Sequence, residues 1–92
     1  HALYPDCRDS FVKAMSAAIA AGTYDGITVE APYSLLDKAQ IAERGKELGI
    51  DYSTTYSCYK GGEVHCGVCG TCRERRKALA DAGIDDPTEY EQ

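Results

Sequence analysis

No stretch of this chain approaches the ~20 consecutive apolar residues that a membrane-spanning helix needs. Nor does it open on the charged-then-apolar segment of a secretion signal. Positive charge is not in surplus either. Ten Lys and Arg stand against fifteen Asp and Glu, a net charge of −5, which argues against a surface that coats nucleic acid. Small molecules or protein are therefore the expected partners, with no direct nucleic acid and no membrane. Internal repeats and low-complexity tracts are absent. So is an even cysteine count, the usual mark of a secreted disulfide framework. There are five cysteines, four of them within fifteen residues, and three of those spell C-x2-C-x2-C. Such clustering favours a metal held in a reducing compartment, and the expected location is the cytoplasm.

At 92 residues the chain is one small domain at most, or part of a larger one. A core this small gains a large share of its stability from a metal staple. Two features point to a piece of a longer protein. The chain starts with His1, its only Met being Met15 inside a predicted helix, and its opening, HALYPDCRD, reads as a loop already under way.

Asp9 can cap a helix running to about Ala21. Phe11, Val12, Met15, Ala18 and Ile19 recur on one face of it, and Gly22 ends it. After a turn at Tyr24-Asp25-Gly26, residues Ile27 to Ala31 read as a short strand ended by Pro32. Asp37 with Gln40 three residues on resembles a capping box. It opens a second helix with Ile41, Ala42, Gly45 and Leu48 inward and Gly49 at its end. Ile50 to Tyr59 reads as extended, the cysteine loop follows, and a third helix runs from about Thr71 to Ala82 before Gly83. The acidic tail IDDPTEYEQ is expected to be loosely ordered. This order suggests an α/β unit carrying a metal subdomain. One strand makes no sheet, so the rest of the sheet is expected from elsewhere. The chain divides into an α/β portion, residues 1–57, and a zinc loop, final helix and tail, residues 58–92.

Cys58, Cys66, Cys69 and Cys72 are spaced C-x7-C-x2-C-x2-C. That pattern suits a tetrahedral, structural zinc, one per chain, with sulfur at ~2.3 Å. Cys72 falls in the first turn of the last helix, whose dipole favours a thiolate. Gly61, Gly62, Gly67 and Gly70 are expected to supply the unusual backbone angles of the loop. An iron–sulfur cluster or a redox C-x2-C pair remains open as an alternative. His65 is a bystander if the four cysteines complete the shell. Four thiolates leave no open coordination position, so any chemistry must lie in other residues.

The strings YPDCR (4–8), VEAP (29–32), DKAQI (37–41), ELGIDY (47–52), TYSCY (55–59), the four-cysteine loop and AGIDDP (82–87) occur in this order. The chain resembles the 7-cyano-7-deazaguanine synthase family from about residue 3 to residue 88. The resemblance implies a Rossmann-like parallel sheet of the adenine-nucleotide α-hydrolase (ATP-pyrophosphatase) fold. It implies a ligase-type activity that converts 7-carboxy-7-deazaguanine and ammonia, with ATP and Mg2+, to the nitrile preQ0 on the way to queuosine or archaeosine. It also implies a homodimer, and zinc on Cys58, Cys66, Cys69 and Cys72. Two departures stand out. The family's Ser-Gly-Gly-x-Asp-Ser ATP loop has no match, since Lys60-Gly61-Gly62-Glu63 lacks the flanking residues, so this chain resembles the C-terminal portion only and is expected to be inactive alone. Asp37 stands where the family usually has Thr, and both cap a helix.

Such a reaction needs phosphate charge neutralised and a flat heterocycle held. Lys38, in the first turn of the second helix, is the candidate for the phosphates, because its ammonium and the free N–H groups there can face one anion. Lysines at this place in related ATP-pyrophosphatases approach the triphosphate. Arg8 can clamp a carboxylate and Asp6 can accept from the edge of the base; the plainer alternative is an Asp–Arg pair fixing the loop. Cys7 is expected to be a small buried side chain. Tyr52, Tyr56 and Tyr59 are expected to pack, although one could stack on the base. Arg73, Arg75, Arg76 and Lys77 read as a solvated helix face beside the acidic tail. Rival functions are a zinc knuckle whose basic helix touches RNA, a tRNA sulfur-transfer enzyme of the same ATP-pyrophosphatase group with a persulfide on Cys7, and a homologue repurposed for another acid.

Overall fold

Helices carry nearly all the regular structure of the computed structural model, which describes residues 4–92. The first three residues of the expected opening loop lie outside the described residues. Three α-helices are present, α1 (Asp9–Ala21), α2 (Lys38–Glu47) and α3 (Gly70–Asp81), with single 3-10 turns at Pro5–Cys7 and Tyr52–Thr54. Packing groups the chain into two units, one up to Asp37 and one from Lys38 to Gln92.

In the first unit, α1 starts and ends where the sequence predicts, but Asp9 is its first residue and not its cap. Arg8 takes the extended backbone of the cap position. The Asp9 carboxylate instead accepts from Lys13 at 3.0 Å and from the Ser34 hydroxyl at 3.0 Å. Those partners, Lys13 first, hold its pKa below the ordinary value. The expected inner face is not covered within this unit. No residue of α1 is buried, and Phe11 and Met15 are each 39% exposed.

The expected strand at residues 27–31 does not form. A strand needs a neighbour for its N–H and C=O groups, and no strand exists among the described residues. Side-chain hydroxyls take the donors instead: Ile27 N–H donates to Thr23 Oγ1 and Val29 N–H to Ser16 Oγ, both at 3.0 Å. The strand expectation is corrected accordingly. By itself this chain is helical, and it contains no Rossmann-like sheet among the described residues.

In the second unit α2 packs on α3. Of the four residues expected on its inner face, Ala42 and Gly45 are buried, whereas Ile41 and Leu48 are exposed. The inward side is narrow because a single ring fills it. Tyr52 donates its hydroxyl to the Ala42 carbonyl at 2.8 Å, and a Cβ on Gly45 would come within 2.1 Å of that phenol oxygen. The expected extended run from Ile50 is interrupted by the turn at Tyr52–Thr54, capped by Asp51, which accepts from the Ser53 N–H at 3.0 Å. Gly49 and Gly83 close α2 and α3, with Ile50 N–H reaching back to Gly45 and Ile84 N–H to Leu79.

The tail is not loose. Tyr90 forms a parallel bridge with His65, Glu91 N–H donates to the His65 carbonyl at 2.8 Å, and Gln92 N–H to the Cys66 carbonyl at 3.2 Å. Asp86 accepts from Thr88 N–H at 2.9 Å and from the Tyr90 hydroxyl at 2.6 Å. Burial opposes the charge on Asp86, but these two donors and the nearby Arg75 outweigh it and hold its pKa low. No helix among the described residues is long and apolar enough to cross a membrane.

Two outcomes follow from these contacts. Gly45→Ala should gain about 1 kcal/mol of helix propensity yet lose more by displacing the Tyr52 ring and its hydrogen bond. The expected net loss is about 1 kcal/mol, read as a lower Tm and partly relieved in Gly45→Ala/Tyr52→Phe. The second concerns Asp9, whose lowered pKa stabilises α1 above the ordinary carboxylate range, a contribution lost as pH falls through the folded value. Carbon-13 NMR should place the Asp9 midpoint below ~3.9, and Ser34→Ala should raise it.

Candidate metal centre

The turn Cys66–Cys69 aims its own amides at sulfur. Val68 N–H and Cys69 N–H lie 3.4 and 3.3 Å from Cys66 Sγ, and Cys66 N–H lies 3.4 Å from Cys58 Sγ. Gly67 makes this turn possible at φ +83°, an angle that other residues adopt only with strain. Gly61 is also left-handed, but Gly62 and Gly70, expected to be so, are not. The turn runs directly into α3, which places Cys72 one helical turn further on and fully buried.

These elements bring the four sulfurs of Cys58, Cys66, Cys69 and Cys72 to within 4.8 Å of one another. Cys66 Sγ and Cys72 Sγ are 4.0 Å apart. A tetrahedron with metal–sulfur distances of ~2.3 Å has edges of about 3.8 Å, so the cluster is close to the size a single ion requires. Electrostatics agrees with size. The Thr71 hydroxyl, 3.2 Å from Cys69 Sγ, together with the Tyr59 and Cys72 amides, pulls the Cys69 thiol pKa down. The Cys66 amide does the same for Cys58. Burial pushes Cys72 the other way, and the three neighbouring sulfurs reinforce it. A fully buried thiol crowded by other sulfurs is most easily ionised when a cation sits at the centre of the group. The donor set therefore fits a thiophilic metal ion.

Around this shell sits a brace that the sequence patterns do not single out. His65, only 5% exposed, accepts from Ser57 N–H at 3.1 Å through Nε2. Its ring leans on Tyr56 (centroids 4.6 Å apart) and meets Tyr90 edge-on at 5.8 Å. Burial, then Arg75, lowers its pKa, which suits a neutral, hydrogen-bond-accepting ring. His65 stands outside the sulfur cluster, as expected, but it orders the segment that carries Cys58. The basic run of α3 is not simply a solvated face. Arg75 reaches Thr88 Oγ1 (2.8 Å), the Tyr52 carbonyl (2.7 Å) and Thr55 Oγ1 (2.8 Å). Arg76 lies over the Tyr90 ring, 3.9 Å from its centroid. The only clues in the sequence are the tyrosines of TYSCY and the lone aromatic of the tail, Tyr90.

The family model for "Queuosine biosynthesis protein QueC" matches residues 1–83. The chain belongs to the QueC family. Among curated relatives, 7-cyano-7-deazaguanine synthase of Porphyromonas gingivalis is 62% identical over 91 residues, covering 99% of this chain and 41% of the relative. The protein of the same name from Caldicellulosiruptor bescii is 53% identical, with 99% of this chain and 41% of the relative covered. That of Methanoregula boonei is 50% identical, with 99% and 42% covered. The chain thus spans about two fifths of the length of these relatives.

The other candidate residues of this QueC-family chain fall in both units. Lys38 begins α2 and pairs with Glu74 of α3. Asp6 and Arg8 belong to the first unit, are exposed, and form no ion pair with each other. Cys7, expected to be buried, is exposed, its thiol 4.0 Å from the Asp6 carboxylate. Tyr52 is half-buried and packs, whereas Tyr56 and Tyr59 are 50% and 67% exposed. The chain should therefore bind one divalent ion, and cobalt should give the intense thiolate charge-transfer bands of a tetrahedral four-sulfur site. Cys72→Ser should lose that spectrum and Cys7→Ser should keep it, as read by absorbance and elemental analysis.

Proposed function

We propose that this chain is the zinc-bearing, C-terminal part of an ATP-dependent enzyme that makes 7-cyano-7-deazaguanine from 7-carboxy-7-deazaguanine and ammonia. The observation that carries this is its 62% identity, along 99% of its length, to a synthase of that name. In the proposed reaction ATP activates the carboxylate, because hydroxide is a poor leaving group. Ammonia then forms the carbon–nitrogen bond, and loss of the remaining oxygen after a second activation leaves the nitrile. Zinc in a four-thiolate shell supplies rigidity, and the chemistry falls to side chains. Lys38 binds the ATP phosphates, which come with Mg2+, and is held beforehand by Glu74. Arg8 and Asp6, both exposed, engage the carboxylate and the edge of the base.

The activity needs the remaining three fifths of the relatives' length, where the Rossmann-like sheet, the ATP loop and the homodimer contacts are proposed to lie. In that larger enzyme, residues 1–57 complete the ATP-pyrophosphatase-like domain and residues 58–92 form its zinc subdomain, in the cytoplasm. The bare apolar side chains of the first unit support this. Tyr24, Ile27 and Leu35 are 110%, 56% and 84% exposed, a surface that a self-sufficient domain rarely leaves uncovered. The RNA-knuckle reading loses ground because Arg75 and Arg76 are engaged with the tail and with Tyr52–Thr55. The exposed thiol of Cys7 suits the sulfur-transfer alternative, so that residue separates the two.

The test is a chimera in which this chain replaces the matching segment of the Porphyromonas gingivalis synthase. It should form the nitrile from the acid, ammonia and ATP, read by mass spectrometry, while the chain alone should not. Lys38→Ala should raise the KM for ATP about tenfold or more, as for loss of a charge-assisted contact. Cys7→Ser should be tolerated. A folded, metal-loaded chimera without turnover, or one abolished by Cys7→Ser, would contradict the proposal.

A further inference from the structure

We propose that residues 86–92 are a latch across the metal centre, with Tyr90 as its positioning residue, and that the latch governs how fast the metal leaves. This rests on the metal-centre assignment above. The tail is tied down directly over the cysteine turn. Glu91 and Gln92 donate their amides to the carbonyls of His65 and Cys66, at 2.8 and 3.2 Å. The Tyr90 ring packs against the sulfur cluster from outside, edge-on to the His65 ring and beneath the Arg76 guanidinium. Its hydroxyl donates to Asp86 at 2.6 Å.

The turn is shaped to receive this tail. At Gly67 a Cβ would meet the Gln92 main-chain oxygen at 2.8 Å and Arg76 Nη2 at 3.1 Å. Arg76 bridges the same two places, donating to the Gly67 carbonyl at 3.3 Å and to the Gln92 oxygen at 2.7 Å. Tail, turn and α3 are thus locked through atoms that touch no metal. A thiolate-bound ion departs when a sulfur is protonated or captured by a competing ligand, and either event needs room for the sulfur to move. Cys66 is the sulfur whose backbone the latch grips, and it is buried. Freeing the tail should let the Cys66–Cys69 turn breathe without removing any ligand.

The experiment measures zinc transfer from the chain to a chromogenic chelator in stopped flow, alongside zinc affinity by competition and the cobalt spectrum. Tyr90→Ala should release zinc about tenfold faster or more, in the range seen for outer-shell partners of metal sites. Its cobalt spectrum should stay that of four thiolates, and affinity should fall by less than release accelerates, because uptake speeds up too. Tyr90→Phe keeps the ring and should release within about twofold of the parent rate, since one exposed hydrogen bond is a small loss. Glu91→Pro removes the tail's amide donor to His65 and alters no ring and no sulfur ligand. It should release faster than the parent, and it decides the matter alone should Tyr90→Ala fail to fold. Parent-like release from both Tyr90→Ala and Glu91→Pro overturns the latch, as does Tyr90→Phe releasing as fast as Tyr90→Ala. A chain that takes up no metal overturns the metal-centre assignment and the latch with it.

Discussion

Four sulfurs drawn within 4.8 Å of one another are the constraint on which the second unit depends. Thiolates at that spacing repel, and burial of Cys72 adds to the penalty, so the arrangement calls for a cation at its centre. Most of what surrounds it can be read as a response. Backbone amides of the 66–69 turn point at sulfur, Gly67 takes the angle that permits this, and α3 starts with Cys69 at its cap so that Cys72 enters from the first turn. The unit's few buried residues tell the same story. Apart from Ala42 and Leu79, the buried apolar side chains are cysteines of the cluster. In so small a core, metal and hydrophobic contact share the task of ordering the chain.

Around the sulfurs lies a polar and aromatic collar. His65 joins Tyr56 to Tyr90, Arg76 covers Tyr90, and Arg75 ties α3 to both the Tyr52 turn and the tail. Arg75 and Arg76 of the α3 basic run are thereby engaged with the tail, while Arg73 and Lys77 stay exposed. The first unit shows the opposite condition. Its helix is well formed, yet nothing within the unit covers the apolar face, and its would-be strand satisfies its donors with Ser and Thr hydroxyls. The chain spans about two fifths of its relatives' length, and in the larger enzyme proposed above the remainder would cover these faces.

What the sequence revealed divides along the same line. Local chemistry was legible: the C-terminal ends of α1, α2 and α3 follow from Gly22, Gly49 and Gly83, and C-x7-C-x2-C-x2-C specifies the cluster because its ligands come from one short segment. Long-range pairing was not. The short run at 27–31, ended by Pro32, promised a strand, but whether a strand exists depends on a neighbour that no local pattern encodes. The acidic tail looked loosely ordered because its partners, His65, Cys66 and Arg75, lie more than ten residues away and Tyr90 is its only aromatic. Arg75 and Arg76 looked like surface charge for the same reason. Lys38 was placed at the start of α2 correctly, while its partner Glu74, 36 residues on, carried no signal.

The central claim is that the ion holding these sulfurs is what orders the second unit. Hydrogen exchange with and without a chelator tests it most directly. Stripping the metal should abolish amide protection across the cysteine turn, α3 and the tail amides of Glu91 and Gln92, while α1 exchanges as before. Protection of α3 and the tail that survives complete removal of the metal would contradict it.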